Sequence, residues 1–200
     1  MKKISTAVIL AAGFGKRLKP ITDEFPKCMT DVNGISILEN TLNILNQYNI
    51  NEIVIVVGYL GEKIIDKFDH KYKNMTIKYL WNNDYKTTNS MYSAWIAKEF
   101  IKKGSYLIEG DVIFSKDFFK EVQEYDNSKS YWIGMPFEKN GDGSMSISDE
   151  NNQIVDVKIV RKRLEKYQNN FLKSSGILKL NKEYGSSLAL WLDKEVKLGN

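Results

Sequence analysis

A chain of 200 residues that is 42% apolar and 27% charged has the make-up of an ordinary folded domain with room for a sizeable core. Its net charge of +4 comes from scattered lysines with one tight basic cluster, Arg161-Lys162-Arg163, so the basic stripe with interleaved aromatics of a nucleic-acid binder is missing. No apolar run approaches the roughly 18 residues of a membrane span, the single Cys28 rules out an intrachain disulfide and fits a reducing cytoplasm, and the lone His70 argues against a zinc site.

Thr6–Ala11 reads as the first strand. Lys2-Lys3 before an apolar run ending in Ala11-Ala12-Gly13 has the outline of an export signal. Ser5 and Thr6 interrupt that run, and its removal would take away the most strand-like opening segment. Residues 13–34 read as a long loop holding Pro20 and Pro26, and long loops in compact domains are usually functional. Ile37–Tyr48 carries apolar residues at helical spacing. Glu52–Val57 is a near-continuous β-branched run, as expected of a parallel strand buried on both faces. The spacing then predicts a helix over Gly61–Phe68, a strand over Thr76–Trp81, a helix over Asn89–Ile101, a strand over Ser105–Glu109 and a helix over Ser115–Glu124. The pattern changes after residue 130. Tyr131–Met135 is a strand, Met145–Ser148 and Ile154–Ile159 flank Asp149-Glu150-Asn151-Asn152 as a hairpin, Gly176–Leu180 is a strand and Tyr184–Val196 a helix. The alternation implies βαβ units and an α/β fold: a Rossmann-like, doubly wound, mostly parallel mixed sheet flanked by helices, with an antiparallel hairpin extension.

The most informative stretch is Leu10-Ala11-Ala12-Gly13-Phe14-Gly15-Lys16-Arg17-Leu18. A strand breaks at Gly13 into a glycine loop ending in two cations, and Pro26-Lys27 brings a third cation back. Glycines let backbone N–H groups approach a ligand closely, so this is a polyphosphate site in outline. It is not a P-loop, because Leu10 and Arg17 stand where Gly and Ser or Thr are needed. It is not the dinucleotide fingerprint either, because Leu18 replaces the third glycine. Glu109-Gly110-Asp111 follows a strand, where ligands gather in open α/β sheets, so Asp111 stands where a metal carboxylate would. Asn82–Ser93 follows another strand and opens a helix. Thr88, Asn89 or Ser90 could cap that helix, and Asn and Ser can also pair with a pyrimidine edge. Trp81, Trp95, Tyr131, Trp132 and Phe137 are candidates for a cation–π box, although aromatics at such spacings are more often core. Cys28, beside Lys27, reads as a packing residue.

Residues 10–18 with Pro26-Lys27 resemble the signature of the nucleotidyltransferases that join a nucleoside triphosphate to a sugar phosphate or an alcohol phosphate. Asn83-Asp84-Tyr85 with Asn89-Ser90-Met91-Tyr92-Ser93 narrows the likeness to cytidylyltransferases acting on phosphocholine or 2-aminoethylphosphonate. The sugar-nucleotide branch usually carries Glu-Lys-Pro near Arg161-Lys162-Arg163, and that tripeptide is absent. The resemblance implies transfer of CMP from CTP to a small phosphate or phosphonate acceptor, with pyrophosphate released. It implies Leu10, Ala11, Ala12, Gly13, Phe14, Gly15, Lys16, Arg17, Lys27, Asn89, Ser90 and Glu109 at the nucleotide, with Lys16, Arg17 and Lys27 catalytic and Asp111 on Mg²⁺. CTP and the acceptor are the implied partners, without nucleic acid or membrane, and a homodimer is left open. Residues 1–200 form one nucleotidyltransferase domain on this reading, 1–129 the nucleotide-binding half and 130–200 the acceptor side. Relatives of this kind continue beyond a final helix into elements that complete the metal site and the acceptor pocket, so CTP binding with weak turnover is expected of these residues alone. Two alternatives stay open: a sugar-1-phosphate nucleotidyltransferase, and a non-catalytic nucleotide-binding module of the same fold.

Overall fold

The structure is a computed structural model that describes residues 3–138, 140–161 and 170–199. Lys2, Lys139, Lys162, Arg163 and Asn200, which entered the sequence reading, lie outside the described residues. The chain divides into two compact units: Met1–Tyr131 with Leu178–Asn200, and Trp132–Ile177.

The first unit opens with β1 (Thr6–Leu10), α1 (Ile21–Glu24), a short hairpin of β2 (Asp31–Val32) and β3 (Ile35–Ser36), and α2 (Ile37–Gln47). It continues with β4 (Glu52–Val57), α3 (Gly61–Phe68), β5 (Lys71–Tyr72), β6 (Met75–Trp81), α4 (Ser90–Ile96), α5 (Lys98–Ile101), β7 (Ser105–Glu109) and α6 (Lys116–Glu124). Strand order within it is β7-β1-β4-β6-β5. The pairings β7–β1, β1–β4 and β4–β6 are parallel, and β5 is antiparallel to β6. Ile53, Val54, Ile55, Val56 and Val57 of β4 are all buried, as a central strand covered on both faces requires. Val8, Val54, Val56 and Leu107 share one core cluster with Ala94, Ala97 and Ile101. The neighbouring side chain Tyr106 turns the other way and meets Phe119 of α6, with ring centroids 5.1 Å apart.

Helices α2, α4 and α6 begin on a side-chain cap. Ser36 Oγ accepts from Glu39 N–H at 3.3 Å, the start of a capping box, and Ser115 Oγ accepts from Phe118 N–H at 3.1 Å. Of the three candidates at α4, Asn89 is the cap, its Oδ1 accepting from Tyr92 N–H at 3.2 Å. The predicted long loop at 13–34 contains short helical turns and the β2–β3 hairpin, whose Asn33-Gly34 corner takes positive φ at both residues. The predicted helix Asn89–Ile101 breaks at Ala97 into α4 and α5.

The second unit holds β8 (Tyr131–Pro136), β9 (Gly143–Ser148), β10 (Ile154–Val160) and most of β11 (Phe171–Leu180). The β9–β10 pair is the predicted hairpin, and β11 runs antiparallel to β9 on its other side. Phe137, Met145, Val160 and Phe171 form its small core. Helix α7 (Lys182–Lys197) belongs to the first unit, where Asp193 accepts from Trp95 Nε1 at 2.8 Å and pairs with Lys98. Trp95 therefore packs beneath α7, Trp81 lies over Gly61, and Phe137 is core; each of these aromatics has a structural duty in its own unit.

Lys179 is fully buried at the end of β11, and its ammonium donates to the carbonyls of Val122 (3.3 Å), Gln123 (3.2 Å) and Tyr125 at the C-terminus of α6. It satisfies carbonyls that the helix leaves open and complements the negative end of its dipole. Lys179→Met is expected to lower stability by about 2 kcal/mol, the cost of stranding buried acceptors. Urea denaturation with an unchanged slope and an unchanged midpoint would contradict this role.

Candidate active site

Strands β7, β1, β4 and β6 end at the same level. Leu10 stands beside Glu109 and Val56, and Val57 beside Trp81. Their carboxyl ends therefore open into one cleft, the place where α/β sheets bind ligands. The cleft has a volume of about 360 Å³, within the ordinary range of small-molecule sites. Leu10, Ala11, Ala12, Gly13, Gly15, Lys16, Arg17, Lys27, Asn89, Ser90, Glu109 and Asp111, all named from sequence, line it. Phe14 is the exception: its ring packs on Tyr59 with centroids 4.2 Å apart, outside the cleft wall. Asn82, Tyr85, Thr88 and Ser93 also line the cleft; the sequence reading placed them in the segment after the strand but assigned none of them to the nucleotide. The signal for Asn82 was available, since it follows β6 as Asp111 follows β7.

The two loop glycines differ in what they require. Gly15 has φ +64°, and a Cβ there would meet Thr22 Cγ2 at 2.9 Å and Lys27 Cβ at 3.2 Å. Thr22 in turn donates its hydroxyl to the Gly15 carbonyl at 3.1 Å, fastening the loop, and accepts from Tyr59 O–H at its own carbonyl. A Cβ on Gly13 would meet nothing within 4 Å and would stand in the open cleft. Packing demands glycine at position 15, whereas only a ligand demands it at position 13.

Charge gathers at one end. Lys16 and Arg17 are exposed and belong to no ion pair among the described residues. Pro26 is buried and starts the turn that presents Lys27, which is ion-paired with Asp111. Gly110 N–H donates to the Leu10 carbonyl at 2.9 Å, and a Cβ there would come within 2.7 Å of that oxygen. Glycine at 110 thus lets Asp111 emerge flush with the end of β1. Glu109 is exposed, yet enough protein surrounds its carboxyl that burial holds its pKa above the usual value; the Asp111 charge adds to that and Lys27 opposes it. Cys28 is 2% exposed, and burial pushes its thiol up to about 12, with Asp111 adding, so it stays protonated and unreactive at neutral pH. Among the described residues no cluster of three or more His, Cys, Asp or Glu side chains could hold a metal alone. The other end of the cleft carries no formal charge: Asn82, Tyr85, Thr88, Asn89, Ser90 and Ser93.

A glycine loop and cations at the end of a central parallel strand, with an aspartate at the end of its neighbour, have the layout of a nucleotide-binding α/β domain. Residues 6–142 match the nucleotidyl transferase family, and the chain belongs to that family. Over 113 residues it is 40% identical to the choline-phosphate cytidylyltransferase of Haemophilus influenzae, covering 56% of this chain and 46% of that protein. Over 108 residues it is 42% identical to the CMP-5'-(3-aminopropyl)phosphonate synthase of Streptomyces rubellomurinus, covering 54% of this chain and 17% of that protein. The chain thus spans about half the length of the first relative and a smaller share of the second. Its fold is similar to that of the CTP:phosphocholine cytidylyltransferase from Streptococcus pneumoniae, with a TM-score of 0.79 at 24% identity over 100% of this chain and 80% of that one. Among the described residues no helix is long and apolar enough to cross a membrane.

The glycine geometry gives a test. Gly13→Ala is expected to leave thermal stability unchanged while weakening the binding of inorganic tripolyphosphate. Gly15→Ala should cost about 2 kcal/mol of stability through left-handed backbone strain and crowding. Equal melting temperatures for the two variants would refute the distinction.

Proposed function

We propose that this chain transfers CMP from CTP to a small phosphate or phosphonate acceptor, such as phosphocholine or 2-aminoethylphosphonate, releasing pyrophosphate. The observation that carries the reading is the division of one cleft into a charged end, where the loop cations after β1 meet the carboxylates after β7, and an uncharged hydrogen-bonding end beyond β6, in a chain of the nucleotidyl transferase family. A nucleoside triphosphate has the same two ends. Its relatives' use of CTP and of choline phosphate or an aminoalkylphosphonate supports the choice of base and acceptor.

The acceptor oxygen attacks the α-phosphorus of CTP. A P–O bond forms there, the bond to the β-phosphate oxygen breaks, and pyrophosphate leaves with that electron pair. The acceptor is already an anion, so no strong base is needed, and the protein contributes alignment and charge neutralisation. Backbone N–H groups around Gly13 and the charges of Lys16 and Arg17 hold the β- and γ-phosphates as negative charge accumulates on them. Lys27 faces the α-phosphate or the acceptor, a role that requires it to leave Asp111. Asp111, with Glu109 beside it, fits Mg²⁺, which takes one or two carboxylates and completes its shell with substrate phosphates. Mg²⁺ there would supply charge to the phosphates and keep them in line.

Titration with CTP, UTP, ATP and GTP, together with pyrophosphate release measured over a panel of acceptors, tests the reading. CTP is expected to bind tightest, and release should require a phosphate or phosphonate acceptor. Purine preference, or release only with a sugar 1-phosphate, would overturn it.

The individual roles are checked by substitution. Arg17→Ala and Lys27→Ala should each lower turnover by about 10²–10³-fold, as loss of one transition-state charge contact does, with the fold intact because both residues sit on short 3₁₀ turns outside the core. Asp111→Asn should abolish the response of the rate to Mg²⁺, because an amide brings no charge to the cation. A wild-type Mg²⁺ titration curve in that variant would remove Asp111 from the metal.

A further inference from the structure

Asn82 follows β6 directly and is 1% exposed. Its backbone N–H donates to the Val57 carbonyl at 2.8 Å, so the sheet fixes its position. Its side chain ties together three points of the segment that follows. Oδ1 accepts from Asp84 N–H at 3.0 Å, while Nδ2 donates to Thr88 Oγ1 at 3.1 Å and to Ser93 Oγ at 3.0 Å. A backbone N–H can only donate, so the amide oxygen must face Asp84 and the amide nitrogen must face the two hydroxyls. Both amide hydrogens are then committed.

This fixes the polarity of the hydroxyls. Thr88 accepts from Asn82 and gives its own hydrogen to the Asp84 carbonyl at 2.8 Å. Ser93 likewise accepts from Asn82, but among the described residues its own hydrogen goes to no partner. Ser93 is 4% exposed and lines the uncharged end of the cleft. A buried hydroxyl whose oxygen is already engaged and whose hydrogen is unspent acts as a donor toward whatever fills the cleft.

We infer that Asn82 is a positioning residue that holds the Ser93 hydroxyl as a hydrogen-bond donor to an acceptor atom on the pyrimidine edge of the bound nucleotide. The inference rests on the nucleotidyl-transfer reading, which puts the base at this end. Cytosine presents such a donor with two adjacent acceptors, N3 and O2, where uracil presents O2 beside the hydrogen on its N3.

The experiment compares CTP with inorganic tripolyphosphate as ligands in calorimetric titrations at fixed Mg²⁺ and at high salt, which limits the reach of the charge that Asn82→Asp adds into the cleft. Two variants are used, Ser93→Ala and Asn82→Asp. The second keeps the acceptor for Asp84 N–H but has no hydrogen to donate, so the Ser93 hydrogen is drawn inward. Each should weaken CTP binding about tenfold, the value of one hydrogen bond with its partner left unsatisfied, and leave tripolyphosphate binding unchanged. In the Ser93→Ala background, Asn82→Asp should bring no further loss. Should Asn82→Asp fail to fold, Ser93→Ala with the two ligands carries the test alone. A parallel fall for CTP and tripolyphosphate, additive losses, or CTP binding untouched by Ser93→Ala would overturn the inference. Wild-type protein that holds CTP no tighter than tripolyphosphate would overturn the nucleotide reading itself, a result visible before any variant is made.

Discussion

The in-register ending of four parallel strands is the constraint on which the site depends. β4 sets it. Five consecutive residues, Ile53–Val57, are fully buried, and each such side chain contributes roughly 1.5–3 kcal/mol relative to an exposed position. A shift of β4 by one residue would bring Glu52 or Gly58 into the apolar ladder, so the register with β1 and β6 is strongly determined. Gly58 adds a steric lock, because a Cβ there would lie 2.9 Å from the Ala12 carbonyl oxygen. From that frame the glycine loop, Asp111 and Asn82 emerge at one level. The cleft follows from the ladder rather than from any contact across it.

Electrostatics then divide the cleft. Two carboxylates, Glu109 and Asp111, stand two residues apart at the end of one strand, and Lys27 comes from a separate turn to neutralise Asp111. Lys16 and Arg17 carry the uncompensated charge at this end. The chain's overall +4 is too dilute to select a ligand, whereas two unpaired cations on a loop with exposed N–H groups select an anion of several charges. The ion pair also sets an order of events within the proposed site. A phosphate that attracts Lys27 frees the Asp111 carboxylate, so the anion and a cation favour each other's entry.

Much of this was legible in the sequence, and the reason differs by element. β4, α3 and β7 were read with their observed limits, because buried β-branched runs and strong amphipathic spacing leave few alternatives. The glycine loop was legible because its residue types have few other uses. The break at Ala97 was not, since alanine is a good helix former and nothing in the local residue types signals it. Lys179 is a single charge within the predicted strand Gly176–Leu180; its duty lies with carbonyls 54 to 57 residues away, a separation that no periodicity reports. Phe14 lies inside the best motif of the chain yet turns to Tyr59, so membership in a motif did not fix where a side chain points. Asn82 and Ser93 were seen only as members of a polar segment after a strand and given no role of their own, because only the closed pattern of donors and acceptors distinguishes them.

The two ends of the cleft are built from different materials, and the difference matches what each must recognise. A triphosphate is common to all nucleoside triphosphates, and it is met by backbone N–H groups and loop cations anchored at the sheet's central strands. Those features depend on glycine geometry and strand register, which tolerate little change. A base is what distinguishes one nucleotide from another, and on the proposed reading it is met by side chains on the segment from Asn82 to Ser93. That segment hangs from the end of β6, and its internal hydrogen bonds run among its own residues. Its hydroxyls and amides can therefore be exchanged without disturbing β4 or the glycine loop. A fold arranged this way can keep one phosphate chemistry while its base preference changes by a few side chains. On the inference drawn above, the choice made here follows from which way one amide, held at Asp84, points its hydrogens.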